Sequence, residues 1–222
     1  MKEGECVLIS FSGKDLVTGK VFDTTSEKEA KSNGLFAENK AFKPLPIFVG
    51  KKELIAGLDK ALLAMKEKEQ KTIKIAPSEG FGEKRKELIV VVPLQEFRAR
   101  KLSPVPGMIV NLNDNIGKVQ TVSGGRVRVD FNHELAGREI EYSVKIEKVL
   151  STPEEKVNAL FEKFFPFVKE PKISLSKETA EIIIPSKFSH EASHIKEGYS
   201  KLILENVKEI KKVRFVEEYS KE

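Results

Sequence analysis

The chain of 222 residues has a single cysteine, Cys6, and no tryptophan. One cysteine cannot form an internal disulfide, which fits a reducing compartment, and its position in a strand pattern indicates a buried, inert thiol. No hydrophobic run reaches the length of a membrane span. Glu3 and Glu5 stand where a signal peptide would need an apolar core. We therefore expect a cytoplasmic protein with no membrane partner.

The charge balance is positive, with a formal net charge of +5 at pH 7. Such a balance can indicate a nucleic-acid partner. Here lysines and glutamates are interspersed as on an ordinary solvated surface, and the basic cluster at 208–214 follows the end of a predicted helix, where cations complement the helix dipole. We therefore predict no nucleic-acid partner.

The central stretch of the sequence is 49–65. Gly50 provides a turn, and a helix follows in which Leu54, Ile55, Leu58, Leu62 and Met65 share one face. Such an amphipathic helix needs a sheet to cover. The free N–H groups of its first turn can receive a carbonyl or an anion.

The rest of the first 150 residues supplies that sheet. Alternating apolar residues predict strands at 6–11, 21–23, 71–75 and 139–146, and a short helix is predicted at 27–32. Pro44 and Pro46 are expected to stop regular structure before the central stretch. Between 88 and 131, short strands with glycine turns, above all the hairpin signal Gly124-Gly125, indicate a small inserted β module.

The last 70 or so residues have their own pattern. Thr152-Pro153-Glu154-Glu155 predicts a helix N-terminus. A hairpin near 173–184, a helix at 189–207 and a strand at 213–219 complete an αββαβ order. The helix and the residues after it carry Phe161, Phe164, Phe165 and Phe167, which form either a private core or a homodimer surface. Because four phenylalanines in seven residues exceed one helix face, we favour the dimer.

Four segments in this order resemble the FKBP-type peptidyl-prolyl isomerases, in particular the SlyD-like branch and its long archaeal members. The segments are Val21-Phe22-Asp23, Gly50 with Glu53–Leu58, Ala76–Gly82, and Phe131–Gly137 with Tyr142. Each segment alone is a weak signal, whereas all four at plausible spacing are specific.

The resemblance implies an α+β fold: an antiparallel half-barrel crossed by one helix, with a small all-β insert and a C-terminal α+β domain. The expected boundaries are 1–86 plus 131–150 for the isomerase domain, 87–130 for the insert-in-flap chaperone domain and 151–222 for the C-terminal domain. The implied activity is prolyl isomerisation coupled to chaperone binding of unfolded or proline-containing polypeptides, with no cofactor and no metal.

The resemblance also implies the site residues. The catalytic candidates are Asp23, Ile55, Phe81 and Tyr142. The residues expected to line the prolyl pocket are Phe11, Phe22, Leu54, Leu58 and Leu135. The residues of the insert expected to bind clients are Val90, Val92, Leu94 and Phe97, although most of the apolar residues of the insert are expected to form its core.

This residue set suits the chemistry of an X–Pro amide. Rotation about the amide is slow because twisting destroys its resonance, and no nucleophile is needed to lower that barrier. A dry pocket favours the twisted amide, and the Ile55 N–H can hold a substrate carbonyl. Asp23 is expected to orient the amide or an aromatic neighbour. Phe81 stands where most relatives have tyrosine, which keeps a binding-only chaperone open as the alternative. Leu58 stands where many eukaryotic relatives have tryptophan, a difference that bears on macrolide inhibitors more than on proline binding.

The sequence His190-Glu191-Ala192-Ser193-His194 matches the zinc-protease motif H-E-x-x-H. It lies at the polar start of a predicted helix in a small domain, so we expect a pair of solvent-facing histidines there. His133, within the fourth resemblance segment, is expected to be structural.

Overall fold

The computed structural model describes residues 1–38 and 40–219, which hold twelve β-strands and five α-helices. The strands are β1 (Cys6–Asp15), β2 (Val21–Thr24), β3 (Leu45–Phe48), β4 (Gln70–Ile75), β5 (Ile89–Pro93), β6 (Ile109–Leu112), β7 (Asn115–Ser123), β8 (Arg126–Asp130), β9 (Ile140–Leu150), β10 (Lys172–Ser176), β11 (Thr179–Pro185) and β12 (Lys212–Glu218). The helices are α1 (Glu27–Ser32), α2 (Ala56–Leu63), α3 (Leu94–Ala99), α4 (Pro153–Phe164) and α5 (Ser189–Asn206). The predicted α+β class is confirmed.

The chain packs as two compact units. The first unit combines Met1–Ile75 with Ile140–Glu222, and the second is Ala76–Glu139. Within the described ranges, no helix has both the length and the apolar character that a membrane crossing requires.

The first unit contains an antiparallel sheet in the order β2-β1-β9-β4, with β3 paired to the first half of β1. Helix α2 packs closely on β4. A Cβ added at Gly57 would lie 2.6 Å from the Ile75 Cγ2 atom, so only glycine permits this approach. Leu58, Leu62 and Met65 are buried, as the amphipathic pattern predicts.

The expectation that Pro44 and Pro46 end regular structure is wrong for Pro46, which lies inside β3. A central strand donates N–H groups to neighbours on both of its sides, and proline has no N–H to donate. In the described part of the chain β3 pairs with β1 alone, so the missing donor is tolerated at this edge position.

A β-bulge divides the first sheet into two regions. The register between β1 and β9 shifts between Leu8 and Ile9, where Ile146 rather than Glu147 opposes Ile9. Beyond the bulge, Cys6 and Leu150 belong to the core of the C-terminal segment 151–219. The C-terminal segment therefore packs against the sheet of the same unit.

The C-terminal segment has the predicted αββαβ order. Strands β10, β11 and β12 form a sheet in which β12 is parallel to β11, and α5 connects them. Helix α4 begins with a complete capping box, in which the Thr152 hydroxyl accepts from the Glu155 N–H and the Glu155 carboxylate accepts from the Thr152 N–H.

The four phenylalanines of residues 161–167 pack inside the unit. Phe161 and Phe165 are fully buried, and Phe164 and Phe165 both contact the Tyr199 ring edge-on. Phe167 contacts Phe165 and Phe188. The reasoning from four phenylalanines to a homodimer therefore does not hold, and the oligomeric state stays untested.

The second unit contains an antiparallel sheet in the order β5-β8-β7-β6. The predicted hairpin is confirmed, since Gly124 and Gly125 have φ values of 54° and 73° between β7 and β8. The sequence did not predict α3. Its Phe97 is fully buried and Val92 of β5 nearly so, and both belong to the core of this unit.

Candidate functional site

Three aromatic side chains from three neighbouring strands meet in the first unit. The ring centroid of Tyr142 on β9 lies 5.8 Å from that of Phe11 on β1 and 5.7 Å from that of Phe22 on β2. Both pairs are inclined, the geometry that aromatic quadrupoles favour. The structure thus brings together three of the residues that the resemblance assigns to the prolyl pocket.

Gly13 allows this aromatic cluster to form. It pairs with Asp23 on β2 and with Tyr142 on β9. A Cβ at position 13 would lie 2.8 Å from the Phe22 Cζ atom and 2.9 Å from the Tyr142 Cζ atom. Any side chain at this position would displace both rings. The sequence reasoning missed Gly13, although a glycine inside a strand pattern signals such a close approach.

Asp23 lies on β2 directly after Phe22, and its side chain is partly exposed. Lys40 forms an ion pair with it, the Nζ–Oδ1 distance being 3.1 Å. Burial raises the pKa of the Tyr142 hydroxyl, and the negative charge of Asp23 raises it further. Tyr142 therefore stays protonated at neutral pH and can donate a hydrogen bond.

Ile55 is the N-cap residue of α2, with φ −60° and ψ 147°. Within residues 1–38 and 40–219, its N–H group donates no backbone hydrogen bond, as is usual at a helix start. Leu54 and Ile55 are partly buried beside it, whereas Leu58 is buried in the helix. The start of α2 thus places a backbone N–H donor beside apolar side chains.

The segment before α2 is held by carboxylates. The Gly50 N–H donates to the Asp59 Oδ1 atom at 2.7 Å, and the Lys52 N–H donates to Oδ2 at 3.3 Å. Asp59 itself lies on α2 and is buried. The helix therefore fixes the loop that leads into it, and with it the position of Ile55.

Phe81 and Leu135 lie in the second unit. The Phe81 ring stacks on the His133 ring with a centroid distance of 4.6 Å. The Leu135 N–H donates to the His133 Nδ1 atom at 3.1 Å. These contacts suit a structural role for His133. The assignment of Phe81 and Leu135 to the prolyl pocket stays a prediction.

The structure separates the four insert residues expected to bind clients. Val90 is 42% exposed, whereas Leu94 is partly buried against the core that contains Val92 and Phe97. Val92 and Phe97 therefore hold the module together and offer no surface to a client. Val90 and Val92 lie in the continuous apolar run 88–92, and Leu94 and Phe97 follow Pro93, so no period in the sequence reveals which of the four face inward.

Other apolar side chains of the insert are more exposed than these. Ile109 is 61% exposed, Ile116 69% and Val91 56%. Ile109 and Ile116 line a cavity of about 850 Å³, together with Phe131 and Lys118. The sequence reasoning missed both isoleucines: Ile109 lies in the continuous apolar run Met108-Ile109-Val110, which has no readable period, and Ile116 stands alone between Asn115 and Gly117.

The remaining candidates carry no reactive arrangement. Burial raises the pKa of the Cys6 thiol to about 12, which makes this thiol inert at neutral pH. His190, Glu191 and His194 are exposed on α5. Across residues 1–38 and 40–219, no three His, Cys, Asp or Glu side chains come close enough to hold a metal ion.

Comparison with known families gives three matches along the chain. Residues 1–95 match the profile of the FKBP-type peptidyl-prolyl cis-trans isomerase. Residues 90–135 match the FKBP26 IF domain, and residues 153–220 match the FKBP26 C-terminal region.

Three curated relatives agree with this. The chain is 34% identical over 149 residues to a short-type peptidyl-prolyl cis-trans isomerase of Methanocaldococcus jannaschii, which covers 67% of this chain and 94% of the relative. It is 31% identical to a probable FKBP-type 16 kDa peptidyl-prolyl cis-trans isomerase of Pseudomonas fluorescens, and the match covers 46% of this chain and 71% of the relative. It is 28% identical to the FKBP-type peptidyl-prolyl cis-trans isomerase SlyD of Helicobacter pylori, and the match covers 60% of this chain and 73% of the relative. The chain belongs to the FKBP-type peptidyl-prolyl cis-trans isomerase family, and SlyD proteins are among its relatives.

Proposed function

We propose that this chain assists protein folding by two linked activities. It catalyses cis/trans isomerisation of X–Pro bonds at the aromatic cluster of Phe11, Phe22 and Tyr142, and its insert binds unfolded polypeptide. The observation that carries the first activity is the aromatic cluster itself, built on three strands and opened by Gly13, with Asp23 next to Phe22. A cytoplasmic location is part of the proposal.

The chemistry requires binding and orientation, with no covalent step. The barrier to amide rotation is about 18–20 kcal/mol because the planar amide is stabilised by resonance. An aromatic and aliphatic site holds the prolyl ring and removes water, which favours the less polar twisted amide. A preorganised N–H, here that of Ile55, then holds a substrate carbonyl.

Asp23 acts by orientation in this proposal. Asp23 follows Phe22 on β2, and its charge acts on the buried Tyr142 hydroxyl. Leu54 is partly buried and supplies apolar surface at the start of α2, whereas Leu58 is buried there. For Phe81 and Leu135, the support is the family resemblance of segments 76–82 and 131–137.

The client surface of the insert is assigned to its exposed apolar side chains. Ile109 pairs with Lys118 and Ile116 pairs with Asn111, so the two isoleucines are diagonal neighbours on β6 and β7. Both line the cavity that Phe131 also lines. Exposed apolar groups gathered at a cavity are typical of a binding surface. Strand β6 is also an edge of its sheet, where an extended chain can add as a further strand. Val90 and Val91 add exposed apolar area on β5.

The isomerase activity is tested by cis/trans exchange in a short proline peptide, followed by magnetisation-transfer NMR. We expect the wild-type chain to accelerate exchange, and Asp23→Ala to lower kcat/KM by roughly tenfold. Val17→Ser is the matched control, since Val17 is 74% exposed in the β1–β2 hairpin and should leave the rate unchanged. Full activity in Asp23→Ala would show that Asp23 has no orienting role.

The client activity is tested separately by suppression of aggregation of an unfolded protein. We expect the double variant Ile109→Ser/Ile116→Ser to lose suppression and to keep its rate on the short peptide, while Val17→Ser keeps both. If the wild-type chain suppresses aggregation and does not accelerate the peptide, the binding-only chaperone is the correct function.

A further inference from the structure

The loop before α2 is tied to the sheet through Glu53. The Phe48 N–H, at the end of β3, donates to the Glu53 Oε1 atom at 2.8 Å. Glu53 directly precedes Leu54 and Ile55, the two residues at the start of α2. The orientation of the Glu53 side chain therefore bears on where the Ile55 N–H points.

The second oxygen of Glu53 is held from the C-terminal segment. The Lys163 Nζ atom lies 2.8 Å from the Glu53 Oε2 atom and donates to the Pro46 carbonyl oxygen at 3.2 Å. The Lys163 and Glu53 side chains are only 24% and 17% exposed. A pair so far removed from water is screened less by salt than a surface pair.

Lys163 is itself placed by a rigid surface. It lies in the last turn of α4, whose Val157, Leu160 and Phe161 are fully buried. The same core includes Cys6 and Phe48 of the first sheet. The packing of α4 therefore fixes the position of the Lys163 ammonium group. Replacing Lys163 by an uncharged residue would leave the largely buried Glu53 carboxylate without its cation.

We propose that Lys163 is a positioning residue for the isomerase site: through Glu53, the C-terminal segment sets the conformation of the Leu54–Ile55 backbone. This inference rests on the proposed function for its effect on catalysis. The proposal gives the C-terminal segment a part in the activity of the site, through the contact of Lys163 with Glu53.

The test compares Lys163→Met, which keeps the apolar stem and removes the charge, with Lys163→Arg and with Lys43→Met. Lys43 lies just before β3, and its Nζ atom is 2.5 Å from the Oε2 atom of Glu162 on the same helix α4. Both of these side chains are exposed, unlike those of Lys163 and Glu53. The readouts are kcat and KM on a proline peptide and the amide NMR signals of Leu54, Ile55 and Ala56. We expect Lys163→Met to lower kcat/KM by about fivefold, mainly through kcat, and to shift those signals. Lys163→Arg should recover most of the rate, and Lys43→Met should match wild type.

A double-mutant cycle separates positioning from a general loss of stability. If Lys163 acts through Glu53, Lys163→Met should change little in a Glu53→Gln background. Unchanged amide signals and an unchanged rate in Lys163→Met would overturn the inference, as would equal losses in both backgrounds. If the wild-type chain does not accelerate the peptide, the proposed function fails, and the amide signals alone decide whether Lys163 positions the loop.

Discussion

At the scale of single residues, the site depends on Gly13, which has no side chain. The rings of Phe22 and Tyr142 occupy the space that a Cβ at Gly13 would need. Sequence patterns identified the aromatic residues through the family resemblance, but they could not identify the glycine because its neighbours in space come from other strands. Gly13 is therefore the residue whose importance only the structure reveals.

Replacing Gly13 by alanine should disable the site without unfolding the chain. Both rings would have to move, so we expect kcat/KM for a proline peptide to fall by about tenfold or more. The ring signals of Phe22 and Tyr142 in NMR spectra should shift as well. Gly198→Ala is the matched control, because the nearest atom to a Cβ there, Phe164 Cε1, is 3.8 Å away. Wild-type activity in Gly13→Ala would contradict this account of the cluster.

A second residue-scale prediction concerns the base of the insert. Asp130 accepts from the Asn132 N–H at 3.0 Å and pairs with Lys84 at 2.7 Å. Asn132 in turn exchanges two hydrogen bonds with the Arg85 backbone, joining the two chain connections of the module. Burial opposes ionisation of Asp130, but the bonds from Lys84 and Asn132 outweigh it and lower its pKa to about 2.

This lowered pKa makes the contribution of Asp130 pH-dependent. A carboxylate with a lowered folded-state pKa stabilises fully above its unfolded pKa of about 4, and the contribution disappears as pH falls towards 2. We expect Asp130→Asn to cost about 1 kcal/mol at pH 7, after allowance for solvent screening, and almost nothing at pH 2. Denaturant unfolding of both proteins at the two pH values measures this. An equal difference at both would show that the charge of Asp130 is not the cause.

At the scale of elements, local signals were sufficient where the chain carries them. The capping box at Thr152 and the double glycine at 124–125 are each carried by a few neighbouring residues, and both α4 and the β7–β8 hairpin are confirmed. Strand β3 and helix α3 could not be predicted in this way. Edge position decides whether a strand tolerates Pro46, and α3 has only six residues, too few to show a period.

Element α4 allows a stability test of its start. Removing the Thr152 hydroxyl leaves the Glu155 N–H without its acceptor, so Thr152→Ala should cost about 1 kcal/mol. For a chain of this size the midpoint of thermal unfolding should fall by roughly 2–4 °C. Ser151→Ala is the control, because the contact of Ser151 with Glu155 uses its backbone N–H. An equal fall in both variants would mean that the cap contributes nothing specific.

At the scale of the whole molecule, the two units divide the proposed work. The first unit holds the aromatic cluster and the start of α2, and the C-terminal segment of that unit packs against the same sheet. The second unit holds the exposed isoleucines. The sequence predicted the insert from its glycine turns and from the family resemblance, but only the structure shows which of its apolar residues are buried and which are exposed.

The most direct test of this account compares the full chain with a chain in which a short loop replaces residues 87–130. The measurement is the rate of cis/trans exchange in a short proline peptide, beside the rate of a proline-limited refolding reaction. We predict that both chains accelerate the peptide and that only the full chain accelerates refolding efficiently. If neither chain accelerates the peptide, the catalytic site proposed at Phe11, Phe22 and Tyr142 is contradicted.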